Sequence, residues 1–207
     1  VTGVQTCALP ILQRLINANF GSGDFFCRFS APYGTYETEE EFRKEVGKWL
    51  YRINYRLKKQ GKGRLKYIAF IECGKSGKNW HIHIIVSKED RELLSEQWPY
   101  ENGQNFTPLY KNENFKKLAE YITKDLTGKE DVDAAQKRMM TSRNLTKPES
   151  VTRKAKRKEI RALERGEMIE APEGHYLIED DYSMNYSDIG GAKWYFCFLP
   201  IMQRRKW

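Results

Sequence analysis

Three histidines occur in the chain, and two of them, His81 and His83, stand two residues apart in the run Trp80 to Ser87. That run is apolar and rich in β-branched residues, so it predicts a strand. Side chains alternate faces along a strand, which puts both imidazoles on one face and Ile82 and Ile84 on the other. The run Leu65 to Cys73 predicts a second strand, on which Ile68, Phe70 and Glu72 share a face. A Gly-Lys-Ser-Gly-Lys turn joins the two runs and makes an antiparallel hairpin the expected arrangement. Glu72 then falls opposite His81 and His83. One carboxylate and two imidazoles above a sheet form a mixed oxygen and nitrogen set that suits a divalent ion with positions left open. The same residues also fit two half-buried strand histidines beside a carboxylate.

A second set of reactive groups lies downstream, between Asn114 and Leu126. Phe115, Leu118, Ala119, Ile122 and Leu126 recur at helical spacing and predict a buried stripe. Tyr121 lies roughly 120° from that stripe at ~100° per residue, which is not the phase of a core residue. Lys124 stands at i+3 from Tyr121 and Lys117 at i−4, positions whose side chains meet on a helix. A phenol flanked by ammonium groups can approach a phosphate and be eased towards phenolate, its nucleophilic state. A surface tyrosine among solvated lysines has the same spacing.

Positioning these groups requires a scaffold, and the rest of the chain predicts one. Phe25 to Ser30 reads as a strand, ended by Ala31-Pro32-Tyr33-Gly34. Thr38 with Glu41 forms a capping-box pattern that opens a helix. Phe42, Val46, Trp49, Leu50, Ile53 and Leu57 form its apolar stripe, and Gln60-Gly61-Lys62-Gly63 ends it. A short helix is expected from Lys88 to Glu96, then a loop region through Pro99 and Gly103. Helical turns are expected from Asp131 to Met140. After Pro148 comes a basic helix carrying Arg153, Lys154, Lys156, Arg157, Lys158, Arg161 and Arg165, and then two strand-like runs, His175 to Ile178 and Lys193 to Leu199. This order predicts an α+β fold, an antiparallel sheet covered by helices, and not a doubly wound parallel sheet.

Composition narrows the function class. Of 207 residues, 40% are hydrophobic and 13% aromatic, enough for a packed core and unlike a disordered chain. No apolar run approaches the ~18 residues that cross a bilayer, so no membrane partner is expected. Lys plus Arg number 36 against 28 for Asp plus Glu, a net charge of +8, which favours a polyanionic partner. The basic helix and the Lys58-Lys59-Gln60-Gly61-Lys62 turn either contact backbone phosphates or form solvated faces. Trp80, Trp98 and Tyr100 are candidates for base stacking, although Trp80 alternates with the histidines and so faces the core. Cys7, Cys27, Cys73 and Cys197 show no paired spacing, which fits free thiols in a reducing cytoplasm. Residues 1–11 read as the translation of a sequencing adapter and are set apart from the fold expectation, with Cys7. Residues 12–147 are expected to form the catalytic domain, and 148–207 a basic helix and strand pair in the same globular unit.

The combination of His81-Ile82-His83 in an apolar strand with Tyr121-Ile122-Thr123-Lys124 downstream resembles the signature pair of HUH endonucleases. Within that superfamily it is similar to single-tyrosine rolling-circle replication initiators of bacterial phages and plasmids. Ser142-Arg143-Asn144-Leu145-Thr146-Lys147-Pro148-Glu149 is similar to a stretch in such proteins from Gram-positive hosts. Position 125 is aspartate, so a second tyrosine one turn on is absent and a single nucleophile is implied. The first strand departs from the family pattern, carrying Cys27, Arg28 and Ser30 in place of two threonines. The resemblance implies a palm-like sheet of about five strands, as in ferredoxin-like and RRM folds. It implies Mg²⁺ or Mn²⁺ on His81, His83 and Glu72, with Tyr121 as nucleophile and Lys124 assisting. It further implies nicking and rejoining of single-stranded DNA at an origin, in the cytoplasm of a bacterial host.

Two other readings fit part of the pattern. A relaxase or transposase of the same superfamily would share the site, although relaxases usually add a third histidine and His175 lies far along the chain. A non-catalytic single-stranded nucleic-acid binder would use the sheet without cutting. Gly74-Lys75-Ser76-Gly77 lacks the preceding glycine of a P-loop, so unwinding would fall to a host helicase.

Overall fold

Thr38 sets the first structural boundary of the scaffold. In the computed structural model its hydroxyl accepts from the Glu41 amide at 3.2 Å, and the Glu41 carboxylate accepts from the amides of Glu37 and Thr38 at 3.0 and 3.4 Å. The capping box expected from sequence is therefore formed. The structure describes residues 5–74, 76–110, 115–127, 139–148, 153–187 and 191–200. The chain divides into two compact units, Val1–Pro148 and Glu149–Trp207.

The first unit holds α1 (Gln5–Asn19), β1 (Phe25–Ser30), α2 (Glu39–Lys59), β2 (Tyr67–Cys73) and β3 (Trp80–Val86). A 3₁₀ turn (Lys88–Asp90) leads into α3 (Arg91–Gln97), followed by β4 (Gln104–Pro108), α4 (Lys116–Thr127) and β5 (Met139–Thr141). The five strands form one sheet in the order β4-β1-β3-β2-β5, antiparallel at every pairing. Chain order β1-α2-β2-β3-α3-β4 with β3 inserted between β1 and β2 is the split βαβ arrangement of ferredoxin-like sheets. The fold is α+β, as the sequence predicts.

Each face of the sheet buries a separate core. Cys27, Phe29, Ala69, Ile71, Ile82, Ile84 and Val86 pack against the α2 stripe, whose six predicted members are all buried, and against Leu94 of α3. Ile68, Phe70 and Ile85 on the other face pack against Leu12 and Ile16 of α1, Phe115, and Ala119 and Ile122 of α4. Burial of side chains such as these contributes about 1.5–3 kcal/mol each. The histidine-bearing face is thus half covered by two helices, and the rest stays open.

Several elements differ from the sequence reading. Helix α1 starts inside the stretch set apart as foreign, while Leu12, Ile16 and Phe20, which bury, all follow that stretch. Strand β4 occupies residues that carried no assignment. It forms because β1 would otherwise be a bare edge, and its exposed, polar residues leave little periodic signal. Met139 and Met140 lie in β5 and not in helical turns. They pair with Phe70 and Ala69 and send one side chain to each core, an alternation too short to read from three residues. Residues 128–138, where those turns were expected to begin, lie outside the described residues, as do Asn112 and Asn114.

In the second unit, α5 (Arg157–Glu164) is shorter than the basic stretch that contains it. Strands β6 (His175–Ser187) and β7 (Gly191–Pro200) pair antiparallel, with a register shift between Leu177 and Tyr182. Both are longer than their apolar runs, since backbone pairing continues through residues that bring no hydrophobic pattern. No helix among the described residues is long and apolar enough to cross a membrane.

Candidate active site

The β2–β3 register puts Glu72 opposite His81 and Phe70 opposite His83. All three candidate ligands therefore rise from one face at the turn end of the hairpin. His81 and His83 are 7% and 5% exposed. Glu72 Oε2 lies 3.0 Å from His81 Nε2 and 3.1 Å from His83 Nε2. One ligand atom from each residue fits within 4.8 Å of the others. Adjacent ligands of an octahedral ion at ~2.1 Å sit about 3 Å apart, so the two short separations suit neighbouring coordination positions.

Local contacts orient both rings. His81 Nδ1 lies 3.1 Å from the Asn79 carbonyl and donates to it, which turns Nε2 towards Glu72. A neutral imidazole has one N–H, so a lone pair then faces the carboxylate, an arrangement that calls for a proton or a cation between them. His83 stacks on Phe26 with centroids 5.1 Å apart and planes at 5°. Its Nε2 is at ion-pair distance from Glu72 without hydrogen-bond direction, and both of its ring nitrogens are buried without a hydrogen-bond partner. Such orphaned buried groups cost about 1–3 kcal/mol each. Coordination of a divalent ion would satisfy Nε2, so the donor set fits a metal. Burial raises the carboxyl of Glu72, but the imidazoles of His81 and His83 outweigh it and hold the group well below the usual carboxylate range. At neutral pH the site supplies an anionic oxygen.

Tyr121 stands over this cluster. Its ring meets His83 edge-on, with centroids 5.8 Å apart and planes at 83°, and meets Phe26 in the same way at 6.1 Å and 84°. It is 46% exposed, while Ala119 and Ile122 of the same helix are buried. The phase predicted from sequence is therefore realised, and α4 delivers a solvent-accessible phenol to the ligand side of the sheet. Phe115 begins the helix in the left-handed region (φ 53°), and its carbonyl accepts from the Ala119 amide at 2.9 Å. A non-glycine residue there costs roughly 1–3 kcal/mol; burial of the Phe115 ring beneath α4 offsets it. Lys117 is exposed on α4. Lys124 follows in the same helix, and its side chain lies outside the described residues.

Three residues with no role in the sequence reading complete the surroundings. Phe26 is the platform for His83, Asn79 fixes His81, and Arg28 stands directly opposite His83 on β1. The signal for Phe26 and Arg28 is the β1–β3 register, which depends on strands far apart in the chain.

Other predicted contacts are placed elsewhere. The Lys58 to Lys62 turn leads towards the start of β2, about 17 Å of strand from Glu72 at its end. Trp98 is buried on the α2 face, and its indole donates to the Ser30 carbonyl at 3.3 Å. Trp80 packs against Phe42, and the Tyr100 and Tyr36 hydroxyls share a 2.6 Å hydrogen bond. These aromatic rings serve the core, because the period that puts the histidines on one face puts Trp80 on the other. In the second unit, Lys154, Lys156, Arg157, Lys158 and Arg161 are exposed, whereas Arg153 makes a two-pronged pair with Glu159 at 2.7 Å.

No curated protein and no solved structure matches the chain. Residues 34–131 match a family model described as a replication-associated protein, of the ORF2 type. That span is a little under half of the chain and contains Glu72, His81, His83, Tyr121 and Lys124, so the part that carries the site is similar to replication-associated proteins.

Proposed function

We propose that the chain nicks and rejoins single-stranded DNA at a replication origin and so starts rolling-circle replication. The observation that carries this reading is the contact of Tyr121 with His83: an accessible phenol set against one member of a three-residue metal-ligand cluster. The match over residues 34–131 to replication-associated proteins supports the cellular context. Bound Mg²⁺ or Mn²⁺, held by Glu72, His81 and His83, supplies Lewis-acid stabilisation of charge on the phosphate.

The chain's own residues do the rest. Tyr121 loses its phenolic proton, with Lys124 easing formation of the phenolate. The phenolic oxygen bonds to phosphorus as the bond from phosphorus to the 3′ oxygen breaks, and that oxygen takes a proton from solvent. The products are a 5′-phosphotyrosine and a free 3′-OH. No water is consumed, so a returning 3′-OH reseals the strand by the reverse reaction. Phe26 keeps His83 and Tyr121 in mutual register. Exposed cations of the basic segment hold backbone phosphates, and a host helicase in the bacterial cytoplasm opens the duplex.

The test is covalent capture. Wild-type protein incubated with Mn²⁺ and a random-sequence pool of single-stranded DNA yields an adduct stable to SDS. Tyr121→Phe yields none and keeps its DNA affinity. An undiminished adduct from Tyr121→Phe removes that residue as nucleophile. Absence of any wild-type adduct alongside salt-sensitive binding favours a non-catalytic binder.

A further inference from the structure

Arg28 presents a cation that the first unit leaves unanswered. It sits on β1 directly opposite His83 of β3 on one side and Asn105 of β4 on the other. Directly opposed residues of an antiparallel pair share a face, with Cβ atoms about 4.5–5.5 Å apart. The guanidinium therefore rises from the ligand face, next to the imidazole that Tyr121 touches and two residues along β1 from Phe26. Its Nε is buried without a hydrogen-bond partner. Among the described residues no carboxylate is at ion-pair distance from it, and Glu72 Oε2 is committed to the two histidines.

Charge accounting identifies what is missing. Two neutral imidazoles, one carboxylate and a divalent ion sum to a single positive charge, and Arg28 adds another. Without an anion, Arg28 repels the ion beside it. An arriving phosphodiester removes that repulsion and gives the buried N–H an acceptor. A guanidinium fork matches two phosphate oxygens in a way an ammonium does not. Exposed Asn105 and Thr107 on β4 continue this face as a polar surface.

We propose that Arg28 grips a non-bridging oxygen of the phosphodiester presented to Tyr121. The inference rests on the nickase reading for the identity of the anion, and it adds a substrate-contacting residue outside the histidine and tyrosine motifs.

The experiment uses the full chain carrying Tyr121→Phe, so that binding is read without cleavage. Mn²⁺ affinity is measured by electron paramagnetic resonance without DNA. Affinity for a twelve-nucleotide oligothymidylate is measured by fluorescence anisotropy at several salt concentrations. Adding Arg28→Gln is expected to weaken oligothymidylate binding about tenfold or more, and to shrink the salt slope by about 0.7, while Mn²⁺ binds as tightly as before or more tightly. An uncharged methylphosphonate oligomer should bind both proteins equally, and Arg28→Lys should recover part of the lost affinity. Oligothymidylate binding within twofold of the parent overturns the proposal. So does a parallel loss of Mn²⁺ binding, which marks a purely structural role. If wild-type protein forms no adduct yet Arg28→Gln loses affinity, the nickase reading falls and the anion site stands. If the adduct forms and Arg28→Gln binds normally, the Arg28 proposal falls alone.

Discussion

The imidazole of His83 is held between two aromatic rings, stacked on Phe26 at 5.1 Å and met edge-on by Tyr121 at 5.8 Å. This sandwich joins the strand that bears the ligand to the helix that bears the phenol. Neither partner of His83 is its neighbour in sequence, so the coupling exists only when β1, β3 and α4 are assembled.

Phe26→Ala removes the shared platform. We expect a stability loss of about 1–3 kcal/mol, below that of a fully buried phenylalanine because Phe26 is only half-buried. Adduct formation should fall more than DNA affinity, since the ring orients groups without meeting the strand's phosphates. Chemical denaturation and single-turnover adduct kinetics measure the two effects. Equal losses in adduct and affinity would mean that Phe26 serves packing alone.

Metal binding should stabilise the fold. A ligand present at a hundredfold excess over its Kd adds about 2.7 kcal/mol to the folded state, so Mn²⁺ should raise the Tm and EDTA should reverse the rise. The two imidazoles favour Mn²⁺ over Mg²⁺ at equal concentration. Glu72→Gln and His83→Ala should each abolish the shift. Differential scanning fluorimetry decides this, and a shift that survives both substitutions would locate the ion elsewhere.

Tyr121→Phe should leave stability within about 0.5 kcal/mol of wild type, because the residue is half-exposed and its ring contacts survive the loss of the hydroxyl. A larger loss in thermal denaturation would show that the hydroxyl is a structural anchor.

Burial pushes the Cys27 thiol up to about 12, with Arg91 opposing only in part. Thiolate is the reactive form, so Cys27 should resist iodoacetamide at pH 8 and react only on unfolding. Cys73, half-buried at the end of β2, should label faster. Peptide mass spectrometry separates the two; early labelling of Cys27 would indicate that the α2 face opens in the native state.

For the basic helix the expectation concerns salt. Each phosphate contact on single-stranded DNA contributes about 0.7 to the slope of log affinity against log salt. Converting Lys154, Arg157, Lys158 and Arg161 together to Gln should flatten the slope by up to about 3. Arg153→Gln alone should change it less, because Glu159 already neutralises that guanidinium. An unchanged slope would make this a solvated face.

Much of the site was legible without coordinates because its signals are local. Two-residue alternation put His81 and His83 on one face, the short turn brought Glu72 across from them, and helical phase kept Tyr121 out of the core. The capping box at Thr38 and the α2 stripe are likewise matters of three- and four-residue spacing. What only the assembled molecule decided depends on pairings between distant segments. The register of β1 against β3 chose Phe26 and Arg28 as neighbours of His83, and β4 and β5 became strands by completing a sheet and not through any pattern of their own. Burial of α1 against α4 placed the phenol over the ligands. Local spacing is set by backbone geometry within a few residues, whereas register and helix docking follow from which apolar surfaces meet once the whole unit has folded.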